Sequence, residues 1–249
     1  LATRGWRPVV ATFGAFLTRA HDVIRMAALS GVSMTLVGSH PGTEIGRDGG
    51  SQMALEDLAM MRAIDGSTVV SPADGNATAA LLATLLDRDG IGYLRSTRGA
   101  YPVLYEPGEA FPLGGSKQPV HHGDDVCLAG TGATVHAAIA AAHALRDRGI
   151  GARVLDVYSL APLDPAPLVE AARATGGRLV IVEDHRPEGG LAGAMLEALA
   201  LAGPCLRVAR LAVSGAPGSG EPHEVMDAMR IGPAAIAAAA DALLDTEGR

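Results

Sequence analysis

Val126–Val157 reads VCLAGTGATVHAAIAAAHALRDRGIGARVLDV, and its reading decides the fold. The short apolar run Val126–Ala129, the Ala-rich stretch Val135–Arg148 and the second apolar run Ala152–Val157 predict a strand, a helix and a strand. The alternation continues downstream with helix Pro165–Ala174, strand Arg178–Glu183, helix Leu191–Ala200, strand Leu206–Leu211 and closing helices near Pro222–Met229 and Pro233–Leu244. Strands separated by helical crossovers lie parallel, with helices on both faces of the sheet.

The same grammar runs through the first half. Arg7–Ala11 and Ser33–Gly38 are predicted strands. Between them Phe16, Ala20, Val23, Ile24, Ala27 and Ala28 recur at helical spacing over Phe16–Leu29. Ser39–Gly50 (SHPGTEIGRDGG) holds too much Gly and Pro for regular structure. A helix over Gln52–Ala63 with Ser51 as its N-cap is expected next, then strand Ser67–Ser71, a helix capped by Asp74 and ending near Asp87, and strand Ile91–Arg95. Glu106–Asp125 (EPGEAFPLGGSKQPVHHGDD) is dense in Gly, Pro and polar residues and reads as a connection. The expectation is α/β: two tandem, mostly parallel sheets with helices on both faces, in units 1–110 and 125–249 joined by 111–124, the first of them incomplete.

With 48% hydrophobic and 19% charged residues, 249 residues can build a core, which excludes overall disorder. A net charge of −7 gives no global basic field for nucleic acid or an anionic membrane, so a small metabolite is the expected partner. Cys127 and Cys205 form neither a disulfide framework nor a thiolate site. They are expected as two buried small hydrophobes in a reducing, cytoplasmic setting. No stretch reaches the ~20 apolar residues of a membrane span, and the start, LATRGWRP, lacks the charged and apolar regions of a secretory signal. Lacking an initiator Met, it is expected to begin inside a longer reading frame.

Ligands of open α/β sheets gather beyond the carboxyl ends of the strands. His40, Glu44, Arg47 and Asp48 fall in such a place, where His40 could hydrogen-bond one substrate hydroxyl and Asp48 accept from another; a solvated polar loop is the alternative. Arg95 and Arg98 close a strand, and one guanidinium entering the cleft would match a phosphate. His121 and His122 read as exposed loop residues. Gly130-x-Gly132 fails the dinucleotide pattern at Val135, so no NAD site follows. Glu183-Asp184-His185 has no nucleophile beside it and reads as structural, at a strand-to-helix turn or an interface. No spacing suits a metal.

Taken together, Thr12–Ala28 (TFGAFLTRAHDVIRMAA), Gly38–Arg62 (GSHPGTEIGRDGGSQMALEDLAMMR), Ser67–Gly75 (STVVSPADG), Tyr93–Arg98 (YLRSTR), Val154–Asp164 (VLDVYSLAPLD), Val182–Gly190 (VEDHRPEGG) and Leu211–Gly220 (LAVSGAPGSG) resemble the animal-like and bacterial branch of the transketolases. The resemblance covers essentially the whole chain, in the family's order. It implies the latter part of a pyrimidine-binding domain at 1–110 and a C-terminal domain, remote from the chemistry, at 125–249. It further implies transfer of a two-carbon ketol unit between ketose and aldose phosphates by thiamine diphosphate, with the cofactor as electron sink.

Residue by residue, the resemblance places Phe13 and Phe16 around the aminopyrimidine. His40, as a catalytic residue, and Asp48 fall on sugar hydroxyls and the intermediate, Gln52 along the sugar chain, and Arg98 on the substrate phosphate. The family's Gly-Asp-Gly motif for Mg2+ or Ca2+ does not occur in the sequence. Its activating Glu is expected upstream of Leu1, so this reading requires a diphosphate-binding N-terminal section, in a homodimer or a complex. Arg47 and Gly50 stand where the family usually has Glu and Pro; Arg47 would either pair with Asp48 or face solvent. Deoxyxylulose-phosphate synthase, the small subunit of a 2-oxoacid dehydrogenase and a noncatalytic interaction module are the alternatives. The run Ser51–Asp57 and the surroundings of Arg98 favour transketolase over the first two.

Overall fold

The computed structural model describes residues 1–200 and 204–245, so 201–203 and 246–249 of the expected second unit lie outside the described residues. In the first half, strands β1 (Val9–Phe13), β2 (Met34–Ser39), β3 (Thr68–Val70) and β4 (Ile91–Ser96) alternate with helices α1 (His21–Leu29), α2 (Asp57–Arg62) and α3 (Gly75–Leu86). The second half contributes β5 (Lys117–His121), β6 (Val126–Gly130), α4 (Ala133–Arg146), β7 (Ala152–Asp156), β8 (Ser159–Ala161), α5 (Pro165–Ala174) and β9 (Arg178–Glu183). It closes with α6 (Leu191–Ala200), β10 (Arg207–Ala212), α7 (Pro222–Ala228) and α8 (Pro233–Asp245).

These strands form two five-stranded sheets, ordered β1-β2-β4-β3-β8 and β10-β9-β6-β7-β5. Each is parallel apart from one antiparallel edge strand, β8 in the first and β5 in the second. The expected pair of mostly parallel sheets is therefore present. Neither antiparallel edge was foreseen. β5 lies inside 111–124, where a connection was expected, and pairs with β7. β8 follows directly on the second sheet's β7 yet pairs with β3 of the first, so the chain itself stitches the two sheets together.

Two other expectations need correction. The helix expected over Gln52–Ala63 is only Asp57–Arg62, and Ser51 caps nothing. Ala54 instead bridges Pro41 and accepts a hydrogen bond from Gly42 N (2.8 Å), which holds 51–56 against the preceding loop in a non-helical path. The helix expected from Phe16 starts as a 3-10 segment, Gly14–Ala20, before α1. Within the Gly-rich loop Thr43–Asp48 forms short 3-10 turns broken at Gly46, whose φ is 57°. Asp74 caps α3 as expected: its Oδ1 accepts from Ala77 N (2.7 Å), while Oδ2 accepts from Leu104 N and Tyr105 N.

The two sheets share one of the hydrophobic cores, in which Leu58 and Met61 of α2 meet Leu168, Leu191 and Met195 of the second half. At this junction Asp57 and Arg95 form an ion pair, 1% and 4% exposed at the side chain. Arg95 Nε donates to Asp57 Oδ2 (2.8 Å) and Nη2 to Asp57 Oδ1 (3.1 Å), Ala54 O (3.0 Å) and Asp184 O (2.9 Å), and the Tyr93 hydroxyl donates to Asp57 Oδ2 (2.6 Å). Burial pushes the Asp57 carboxyl up, but the Arg95 guanidinium outweighs it, helped by His185 and the Tyr93 bond, and holds it below the usual carboxylate range. Cys127 is buried as expected and its thiol is pushed up to about 12 by burial; Cys205, expected buried, is exposed. Among the described residues no helix is long and apolar enough to cross a membrane.

Removing one partner of a buried, hydrogen-bonded ion pair leaves an uncompensated charge, so Arg95→Ala should destabilise the chain by about 3–5 kcal/mol. The double change Asp57→Leu with Arg95→Met should recover part of this in denaturant unfolding. A second test concerns Asp156, whose carboxyl burial pushes up to about 7, against the bond it accepts from Tyr105. The folded state then holds a proton that the unfolded chain releases from about pH 4, so stability falls as pH rises from about 4 to 7 and levels off above that. Asp156→Asn should therefore flatten the drop in unfolding free energy between pH 5 and pH 8, a difference of at most about 3 kcal/mol.

Candidate functional site

The carboxyl ends of β1, β2 and β4 converge on one edge of the first sheet. β1 ends in Phe13, β2 delivers His40 one residue beyond Ser39, and β4 runs into Arg98. His40 adopts a φ of 56°, uncommon for a residue with a side chain. That turn lays its ring on Phe13, at a centroid separation of 3.8 Å and 16° between planes. Phe16 stacks on Phe13 in turn, at 5.3 Å and 12°. The outermost ring, Phe16, is 48% exposed, although the helical periodicity of 16–29 had placed it on a buried face. Of the chain's three Phe, two stand in this stack.

Polar groups continue the line. His40 Nδ1 lies 3.0 Å from Ser39 Oγ, and its Nε2 faces Asp48 Oδ2 at 4.0 Å. The same Asp48 oxygen lies 3.5 Å from Arg98 Nε, and the Arg98 side chain is half exposed. Phe16, Phe13, His40, Asp48 and Arg98 thus follow one another along the sheet edge, from an aromatic face to a guanidinium. Gln52 is not drawn into this line; its amide donates to Ser51 Oγ at 3.4 Å. Arg47 does not pair with Asp48; its side chain faces solvent. It reaches the second domain, where Nε donates to Glu221 Oε1 (2.8 Å) and Nη2 contacts the same oxygen. Arg95 and Arg98 do diverge, the first buried and the second open.

The second domain, expected to be remote from the chemistry, touches this loop directly. Beyond the carboxyl end of β9, buried Asp184 accepts from Thr43 N and Thr43 Oγ1 at Oδ1 (both 2.7 Å) and from Glu44 N at Oδ2 (3.0 Å). Gly42, with φ 70°, lies against Asp184 where a Cβ would clash. Glu44 in turn points back to β4's extension: Oε1 accepts from Arg98 N (2.7 Å) and Oε2 from Gly99 N (3.3 Å). Burial pushes the Glu44 carboxyl up, while the bonds from Arg98 and Gly99 pull it back. The sequence reading singled out Glu44 only as a member of the polar loop. The presence of Gly99, whose absent Cβ would meet Glu44 Oε2 at 3.0 Å, was the available signal.

Glu183-Asp184-His185 is structural, as expected. Glu183 accepts from Leu191 N (2.6 Å) and Arg210 Nε (3.1 Å). His185 Nδ1 donates to Arg186 O (2.7 Å), so Nε2 is left to accept from Ala59 N (3.4 Å), and burial holds the ring below its ordinary pKa. His121 and His122 remain on the surface, His122 Nε2 lying 3.0 Å from His143 Nδ1. Among the described residues no three His, Cys, Asp or Glu side chains gather as a cation cage.

Two family models match the chain: the transketolase pyrimidine-binding domain at residues 1–103 and the transketolase C-terminal domain at 115–236. The transketolase of Rattus norvegicus is 44% identical over 238 residues, 95% of this chain and 38% of its own length. Transketolase-like protein 1 of Bos taurus is 44% identical over 219 residues, 87% of this chain and 36% of its length. The chain therefore spans less than two fifths of either. Among solved structures, a split-gene transketolase described as an inactive β4 tetramer superposes with a TM-score of 0.89 at 31% identity, covering 98% of this chain and 78% of that one. A transketolase variant from Pichia stipitis in complex with fructose 6-phosphate shares the fold, with a TM-score of 0.74 at 22% identity over 96% of this chain and 34% of that one.

The Arg47–Glu221 pair is solvated, with side chains 75% and 43% exposed, and exposed pairs contribute about 0–1 kcal/mol. Arg47→Glu should accordingly shift the melting temperature by no more than about 4 °C.

Proposed function

The chain belongs to the transketolase family, and on that premise we propose that it supplies the pyrimidine-ring side and C-terminal domain of a thiamine-diphosphate ketol transferase acting on ketose and aldose phosphates. A diphosphate-binding section carrying Mg2+ or Ca2+ completes the site, in a homodimer or a two-part complex, in the cytoplasm. The observation that carries this reading is the line Phe16, Phe13, His40, Asp48, Arg98. An exposed aromatic face suits a flat heteroaromatic ring, neighbouring hydrogen-bonding groups suit a polyol, and an open guanidinium suits a phosphate.

Thiamine diphosphate, when bound, supplies the electron sink for carbon–carbon cleavage and transfer. The chain's own residues orient the sugar and handle protons. Phe13 and Phe16 pack against the aminopyrimidine. His40, poised between Phe13 and Asp48, hydrogen-bonds the reacting end of the sugar and moves a proton at its hydroxyl. Asp48 accepts from a neighbouring hydroxyl, and Gln52, on its position in the family, would reach along the sugar chain after leaving Ser51. Arg98 pairs with the terminal phosphate, giving local positive charge inside a chain of net charge −7.

The need for a second section is supported by the face around β1 and α1, where Trp6, Val9, Val10, Val23, Met26 and Leu29 are all exposed. Large exposed hydrophobic side chains gathered in one part of a chain are a mark of interaction surfaces. The related split-gene chain, inactive as a tetramer of its own, points the same way.

Purified alone, the chain should neither retain thiamine diphosphate nor turn over xylulose 5-phosphate with ribose 5-phosphate. Mixed with a diphosphate-binding transketolase section, it should do both. Turnover by the chain alone would defeat the reading, and so would none in the mixture. In the active mixture Arg98→Ala should raise KM for the phosphorylated sugar about 10- to 100-fold, the loss of one charge-assisted contact.

A further inference from the structure

The candidate phosphate arginine lies just beyond the end of β4, on a segment that contains Thr97, Gly99 and Ala100 and carries no regular structure. A guanidinium on such a segment recognises an anion well only if its backbone is fixed, because disorder in the support is lost on binding. Among the described residues, Glu44 supplies that fixation. Glu44, 3% exposed, sends its carboxylate to the two consecutive amides of Arg98 and Gly99, at 2.7 and 3.3 Å. Its Oε2 also lies 3.5 Å from the Tyr101 hydroxyl, a longer contact on the same segment.

Glu44 can do this only because its own backbone is held. Its amide donates to Asp184, as do the amide and hydroxyl of Thr43. Asp184 is anchored in turn by Arg95, which donates to its carbonyl oxygen at 2.9 Å. The brace therefore runs from the end of β9, through the Gly-rich loop, to the backbone of Arg98. Asp48, from that same loop, faces the Arg98 guanidinium at 3.5 Å. One loop thus holds both ends of the arginine.

We propose that Glu44 is a positioning residue for phosphate recognition: seated on Asp184 of the C-terminal domain, it clamps the Arg98–Gly99 backbone so that the guanidinium is presented to the sugar phosphate. This deepens the transketolase reading and rests on it for the identity of the anion. It also gives the C-terminal domain a task in the site, as the fixed end of the brace.

The test uses Glu44→Ala and Glu44→Gln in the full chain, with and without the diphosphate-binding section. In the chain alone, amide hydrogen exchange at Arg98 and Gly99 should accelerate about tenfold or more in Glu44→Ala while Tyr93 in β4 stays protected; Gln, whose carbonyl can still accept from Arg98, should restore most of the protection. In the assembled enzyme Glu44→Ala should raise KM for glyceraldehyde 3-phosphate about tenfold, yet change KM for unphosphorylated glyceraldehyde less than about threefold, with Gln close to wild type. Unaltered exchange at Arg98 and Gly99 would overturn the proposal, as would equal effects on the two aldehydes. Should the wild-type mixture show no turnover, the transketolase reading fails, while the exchange experiment still decides whether Glu44 holds the arginine.

Discussion

A single guanidinium, that of Arg95, ties together the parts on which everything else rests. It sits at the end of β4, takes both oxygens of Asp57 on α2, and donates to the backbone of Ala54 before that helix and of Asp184 beyond β9. Helix, sheet, incoming loop and second domain therefore meet at one buried cation. An ion this far from water is tolerable only when its partners are complete, so each of these segments must arrive together. Asp57 is kept charged by the same arrangement, and the Tyr93 hydroxyl uses the remaining room on its oxygen.

From this anchor the site is built outward by successive hydrogen bonds. Asp184, fixed by its carbonyl to Arg95, receives Thr43 and Glu44; Glu44 receives Arg98 and Gly99; Asp48, at the far end of the same loop, lies between His40 and Arg98. Few of these atoms belong to helices or strands. Positions that loops alone would leave loose are instead set by buried carboxylates accepting backbone amides, which are strong bonds with little freedom.

The architecture was legible in the sequence because it is written in local periods. Val126–Ala129 and Ala152–Val157 flanking an Ala-rich helix declare a parallel crossover without any knowledge of distant partners. The two antiparallel edges are of another kind. Lys117–His121 (KQPVH) carries no alternation, and Ser159–Ala161 is three residues long; each becomes a strand only because β7 or β3 presents an open edge. Gln52–Glu56 reads as the start of a helix and is prevented from becoming one by Ala54 bonding across to Gly42. For the site, spacing revealed the polar loop and the pair of arginines, while the proposed roles of Phe13, Phe16, Gln52 and Arg98 came from family resemblance. Asp57 offered a sign that could have been followed: a carboxylate within the apolar run LEDLAMM requires a buried cation, and Arg95 at a strand end was available.

β8 gives the two sheets a joint history. Its three residues leave one domain to complete the edge of the other, and Tyr158, just before it, accepts from Ser71 N (2.8 Å) at the end of β3. A cut placed between the sheets would strip β3 of its neighbour on that side and expose an unpaired edge whose three residues are now all buried. The pyrimidine-side and C-terminal domains are thus joined by a shared sheet edge and a shared core as well as by the chain. Wherever this chain is divided, β8 has to stay with β3 for that edge to remain covered.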